Sequence, residues 1–257
     1  MTVATPQARQ PFSGSAHDST MRPDIADLRQ SSLFRDVEVD ILDQIVGVSR
    51  IVSLQDDETV GHQGAPADAI FLILSGQVAL FNTASNGTSA VVEVLHPGAH
   101  LFLPTVLAGL PLLMSGRTVC ASRLIRIPAA DLMRLVRAEP SLSSSIMRAQ
   151  AMEFRSMVRQ VCDLKLRTTA QRLGCYLLAL SKGQTENSVA LRLPFDKRLL
   201  AARLGCRQEN LSRAFAALRS LGVETHGARV ILHDIERLRD YSVPDEMTDE
   251  MTDIEFA

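Results

Sequence analysis

A chain of 257 residues, 46% of them apolar, can bury one large core or two modest ones. No apolar run approaches the roughly 20 residues that cross a bilayer, so a soluble, cytoplasmic protein with no membrane partner is expected. The formal net charge of −2 hides a change of sign: Lys165 to Tyr241 carries fourteen Lys/Arg against seven Asp/Glu, whereas Ser242 to Ala257 carries six acids and no base. A basic block in an otherwise acidic chain fits a segment that meets phosphates, although a solvated basic face has the same composition. The four cysteines, Cys120, Cys162, Cys175 and Cys206, show neither CxxC nor Cys/His spacing, which argues against a zinc site and a disulfide framework.

Residues 1–23, rich in Pro, Ser, Thr and Gln, read as a disordered tail and lack the basic-then-apolar order of a secretory signal. From Asp24 to Val48, Leu28, Leu33, Phe34, Ile41, Leu42, Ile45 and Val46 recur at near-helical spacing and predict short helices. Between Arg50 and Pro128 the character changes: short apolar runs (IVSL, AIFLILSG, QVALF, AVVEVL, RLIRI) are separated by turn signals, notably Asn86-Gly87 and Pro97-Gly98. That punctuation predicts a small all-β sandwich or roll within a domain spanning residues 24–140.

After Pro140 no Gly or Pro interrupts the chain until Gly174. Met147, Ala151, Phe154, Val158 and Val161 recur there at steps of four and three, the seam of a two-stranded coiled coil. These five are the expected dimer interface of a helix over residues 141–164, with a break near Cys162 to Lys165; the same stripe could instead pack on its own domain. Residues 165–241 read as helix (Thr169 to Lys182), strand (Val189 to Leu193), helix, turn, helix, a hairpin (Val223 to Leu232) around His226-Gly227, and a last helix (Asp234 to Tyr241). This is the order of a winged helix-turn-helix, and the fold class is α+β. Residues 242–257, which repeat DEMT, read as an acidic disordered tail.

The segment FDKRLLAARLGCRQENLSRAFAALRSLGV carries the most chemistry. Asp196 can cap a helix holding Leu199, Leu200 and Leu204, and Gly205 supplies the left-handed residue that turns it into the next. In the second helix Leu211, Phe215 and Leu218 form the buried stripe, which leaves Arg207, Gln208, Glu209, Asn210, Ser212 and Arg213 outside. Glu209, Ser212 and Arg213 stand at i, i+3 and i+4 and leave one face together. In a major groove Arg reads guanine O6 and N7, and Glu accepts from cytosine N4. Lys197 and Arg198 suit phosphates.

On these residues the chain resembles the Crp/Fnr superfamily of bacterial regulators over residues 24–241. The E-x-x-S-R pattern of Glu209, Ser212 and Arg213 looks like the Fnr-type branch, whose half-site is TTGA. The cyclic-AMP receptor branch has Arg directly before the Glu, where this chain has Gln208. The resemblance implies a homodimer on the inverted repeat TTGA-N6-TCAA in double-stranded DNA, RNA polymerase as a further partner, and a β-rich unit shaped as a cyclic-nucleotide-binding-like roll. DLKLRTTAQRLGCYLLAL adds a likeness to FtrB- or FixK-like regulators.

Cyclic-nucleotide binders of this family place a ribose-binding Glu and a phosphate-binding Arg after a glycine. The corresponding stretch PGAHLFLPTVLAGLPLLMSGRTVCAS has no acid, and its one Arg, Arg117, comes late. An unpaired phosphate in so apolar a site would be costly, so cyclic AMP binding is not expected. Leu101 to Met114 is expected to pack against the long helix or, as the alternative, to line an apolar pocket. No cysteine lies in residues 1–50, where the Fnr type holds its iron–sulfur cluster, so that cluster is not expected either. Haem stays open through His62, His96 and His100, and a redox role through Cys206, whose pKa the helix N-terminus, Arg203 and Arg207 could lower. No nucleophile–base pair, acid pair or phosphate loop suggests an enzyme. A ligand-binding protein that has lost DNA recognition is the remaining rival.

Overall fold

The computed structural model describes residues 17–18, 21–181, 188–193 and 197–244. The remainder of both tails, Asp196, and the side chains of Arg198 and Leu199 lie outside the described residues. The chain divides into two units, Met1–Met152 and Glu153–Ala257, and the division falls inside one long helix.

In the first unit, β1 (His17–Asp18) precedes α1 (Ile25–Arg29) and α2 (Val39–Val48). Asp24 begins α1 with a capping box: its Oδ1 accepts from the Asp27 N–H at 2.8 Å, and Asp27 Oδ2 accepts from the Asp24 N–H at 3.0 Å. Next come β2 (Arg50–Leu54), β3 (Thr59–Gly61), β4 (Ala69–Ser75), β5 (Val78–Thr83), β6 (Ser89–Leu95), β7 (His100–Leu101), α3 (Leu103–Ala108), β8 (Ser115–Thr118) and β9 (Ser122–Pro128). The strands form two antiparallel sheets, β1-β2-β9-β4-β7 and β3-β8-β5-β6. β4 turns into β5 at Gly76 (φ +87°), where a Cβ would stand 2.6 Å from Ser122 Cα, so only glycine fits.

Alternate strand residues face two different cores. Val52, Phe71, Ile73, Val78, Leu80 and Leu124 fill the space between the sheets. Ile51, Ile70, Leu72, Ile125 and Ile127 join a second cluster with α1, α2, α4 (Ala129–Ala138) and the first turns of α5 (Pro140–Leu166). β4 is therefore buried on both faces, which is why it reads as the unbroken run AIFLIL. Leu103 and Val106 of α3 belong to the cluster that also holds Leu142, Ile146 and Ala149 of α5, Leu101 belongs to the cluster between the sheets, and Leu110 and Leu113 are exposed.

The second unit contains the end of α5, α6 (Thr169–Leu180), β10 (Val189–Arg192), α7 (Lys197–Arg203), α8 (Gln208–Arg219), β11 (Val223–His226), β12 (Arg229–Leu232) and α9 (Ile235–Ser242). Its sheet runs β10-β12-β11, and α6 packs against α8 and α9 around Leu173, Leu177, Phe215 and Leu238.

Three expectations are corrected. His17 and Asp18, placed in the disordered tail, pair with Ser53 and Val52 of β2. The long helix has no break at Cys162 to Lys165 and continues to Leu166, because the stop signal comes later: Thr168 caps α6 in a capping box with Gln171. The hairpin turns at Gly227-Ala228, one residue on from the expected position. Among the described residues no helix is long and apolar enough to cross a membrane.

Candidate nucleic-acid interface

The turn between α7 and α8 is made by backbone chemistry. Gly205 adopts φ +60°, and the Cys206 N–H donates to the Ala201 carbonyl at 2.9 Å, the six-to-one bond with which a Schellman motif closes a helix end. Its φ is what requires glycine; a Cβ there would stand 2.5 Å from Leu164 Cδ2 of α5, the end of a side chain exposed enough to move aside.

Helix α8 buries Leu211, Ala214, Phe215 and Leu218. Ala214 is the one member of this stripe that the spacing argument omitted. Arg207, Gln208, Glu209, Asn210, Ser212 and Arg213 are all exposed, as is Lys197 at the start of α7. Among the described residues no ion pair holds Glu209 or Arg213, so both carry undirected charge into solvent. Ser212 is different: its hydroxyl donates to the Gln208 carbonyl at 3.0 Å, and its oxygen remains as an acceptor.

Sequence reasoning missed the group that holds this turn from beneath. Arg172, on α6, is 7% exposed. Its Nε donates to the Leu204 carbonyl at 3.0 Å and its Nη1 to the Arg167 carbonyl at 2.9 Å, while Nη2 lies 3.5 Å from Thr169 Oγ1. One guanidinium thus ties the last turn of α7 to the entry of α6, using the planar fork that only Arg offers. The polarity of Arg gave no signal of this burial.

The same cation acts on Cys206. Burial pushes the Cys206 thiol up, against the opposing pull of Arg172. The expected lowering by Arg203 and Arg207 is therefore corrected, since desolvation outweighs the charge and the charge comes from another helix. Arg203 instead lies over the Tyr176 ring, 5.7 Å from its centroid. Burial raises the Tyr176 phenol to about 12, with Arg203 opposing. On the hairpin, Glu224 is hydrogen-bonded to His226 Nε2 at 2.7 Å and His233 Nε2 at 2.9 Å, and those bonds, His233 first, hold its carboxyl below the usual range. Glu224 and His226 share one face of β11 by strand alternation, and the pairing of β11 with β12 brings His233, just after β12, beside them.

Along α5 the seam residues Met147, Ala151, Phe154, Val158 and Val161 are exposed, Phe154 by 66%. Met157 and Leu164, also exposed, border the stripe on one side.

In the β-roll, Arg117 points outwards, paired with Asp57 at 3.0 Å and lying over Phe81. Its neighbours Gly116 and Thr118 face inwards. His62, His96 and His100 are half-buried, and His96 Nδ1 lies 3.3 Å from Gln77 Nε2. Among the described residues no three His, Cys, Asp or Glu side chains are grouped to hold a metal ion.

Residues 51–139 match the family model of the cyclic nucleotide-binding domain, and residues 171–241 that of the Crp-like helix-turn-helix domain. A Ruegeria pomeroyi protein assigned provisionally to the cyclic nucleotide binders is 32% identical; the match covers 86% of this chain and 97% of that one, with a TM-score of 0.58. A CRP-like cAMP-activated global transcriptional regulator of Mycobacterium tuberculosis is 23% identical over 215 residues, 82% of this chain and 96% of that protein. FixK2 of Bradyrhizobium japonicum is 19% identical and shares the fold, with a TM-score of 0.61 over 75% of this chain and 96% of that one.

Proposed function

Because the chain belongs to the Crp/Fnr family of transcription regulators, with a DNA-binding helix-turn-helix, we propose that it works as a homodimer reading a TTGA-N6-TCAA inverted repeat. The observation that carries this reading is the exposed Glu209, Ser212 and Arg213 face of α8, without ion pairs among the described residues and backed by a buried stripe. Arg213 takes the guanine of TTGA, Glu209 accepts from the paired cytosine, and Ser212 offers its oxygen beside them. Lys197 and Arg198 meet phosphates, and Arg207, Gln208 and Asn210 border the base-reading face. The exposed α5 seam joins the two subunits, since each reads half of a two-fold site. RNA polymerase is the further partner of such a regulator, and the FtrB- or FixK-like likeness rests on residues 163–180.

A competition gel shift tests this. Wild-type protein should prefer a TTGA palindrome to a TTCA one, and Arg213→Ala should lose the preference while keeping salt-sensitive binding to both. One bidentate contact per half-site at about 1 kcal/mol, made twice, gives roughly a 30-fold preference. Full discrimination by Arg213→Ala would show that another face reads the base. No preference in the wild type would favour a ligand-binding protein that has lost DNA recognition.

A further inference from the structure

Phe102 adopts φ 68° and ψ 5°. A bulky L-residue takes this left-handed conformation only where its surroundings over-determine it. The surroundings here are two glycines. Gly61 on β3 and Gly116 on β8 are direct cross-strand partners. A Cβ on Gly61 would stand 2.9 Å from Phe102 Cε2 and Cζ, and one on Gly116 would stand 3.2 Å from Cζ. Neither glycine has a positive φ, so what the pair contributes is missing side chains. Together they clear a window in the sheet against which the far edge of the ring lies.

On another side the ring meets Phe71 edge to face, with centroids 6.1 Å apart. Phe71 is 2% exposed and stands opposite Leu101 across β4 and β7. Phe102 and Met114 both pack against the apolar cluster between the two sheets. The connection that delivers them, residues 98–114, contains no acid, Lys or Arg.

We propose that Phe102 is a built-in occupant of the roll: its ring takes the interior space that a small ligand would need, and the left-handed backbone at Phe102 is the strain accepted to seat it. The geometry stands on its own. The consequence, that DNA binding does not wait for a cyclic nucleotide, rests on the regulator reading above.

The test uses the full chain, with indole as a probe of vacated apolar space and cyclic AMP as a probe of the phosphate-binding alternative. Indole should raise the melting temperature of Phe102→Ala and Phe102→Gly saturably, leaving the wild type and Leu113→Ala, an exposed control on the same connection, unmoved. Phe102→Gly should melt above Phe102→Ala, because glycine accepts φ 68° without strain. Should both small residues prevent folding, Phe102→Leu with benzene gives the same comparison with less volume removed. Calorimetry should find no saturable cyclic AMP binding to the wild type. The proposal is overturned if the wild type binds indole as the variants do, if the variants gain no site, or if cyclic AMP binds the wild-type roll. Loss of TTGA recognition with the indole pattern intact would count against the regulator reading alone.

Discussion

Replacing Arg172 with Met keeps most of the side-chain volume and removes every donor, which isolates what the buried guanidinium does. Two of its hydrogen bonds are short: Nε to the Leu204 carbonyl at 3.0 Å in a buried setting, and Nη1 to the Arg167 carbonyl at 2.9 Å in a half-buried one. The third, at 3.5 Å, contributes little. After the change Arg167 O can recover water, but Leu204 O is left as a buried acceptor without a donor. That costs about 1–3 kcal/mol, offset in part because a buried cation no longer has to be desolvated. Spread over a domain of this size, about 1 kcal/mol lowers Tm by roughly 4–8 °C. Since Leu204 directly precedes the Gly205 turn, the placement of α8 should suffer beyond stability. At 15 °C, where the variant remains folded, TTGA affinity should fall more than nonspecific affinity, and Arg172→Lys, which can serve one carbonyl, should restore only part of it. Calorimetric melting and gel shifts read these two effects separately. A fully stable Arg172→Met with wild-type discrimination would refute the argument that this guanidinium holds the turn.

Val158→Asp places like charges on the proposed α5 interface, and sedimentation should show the dimer shifting to monomer with loss of palindrome binding; an unaffected dimer would move the interface elsewhere. Glu224→Gln probes the hairpin cluster. The carboxyl is held below its ordinary value, so its stabilisation is present above about pH 4.5 and lost as pH falls through the lowered value. The wild type should therefore melt higher than Glu224→Gln near neutrality, and the gap should close in acid. Tyr176→Phe probes the opposite limb. A phenol raised to about 12 favours the fold below its ordinary value of 10.0, and this is lost as pH climbs from 10 to 12. The variant should lack that part of the alkaline slope in chemical denaturation.

The sequence made the chemistry of α8 plain because a helix that buries Leu211, Phe215 and Leu218 has no choice about which residues it exposes. The β-roll was legible by its turns more than by its strands: Asn86-Gly87 and Pro97-Gly98 mark positions with φ +81° and +87°, whereas AIFLIL, buried on both sides, shows no period of two. The end of α5 was misplaced although its signal was present, since Thr168-Thr169-Ala170-Gln171 has the spacing of a capping box. Phe102 was beyond reach. Nothing in LFLPTVLAG marks its Phe as left-handed, because the cause lies in two glycines on distant strands.

Cys206 shows the same limit in electrostatics. Along the chain its nearest cations are Arg203 and Arg207, and proximity in sequence suggested a lowered thiol pKa. In space Arg203 is turned onto the Tyr176 ring, Arg207 is exposed, and the cation that acts on the thiol is Arg172 from α6. That guanidinium already donates to Leu204 and Arg167, so its charge is shared with two carbonyl dipoles before it reaches the sulfur. Desolvation then outweighs the attraction, and the thiol stays protonated at neutral pH. A thiolate-selective alkylating reagent should therefore label Cys206 slowly at pH 7 in the native protein, and Arg172→Met should slow it further by removing the charge that opposes burial. Rapid labelling in the wild type would mean that the field at the turn is set by Arg207 after all, and would restore the redox reading of this residue.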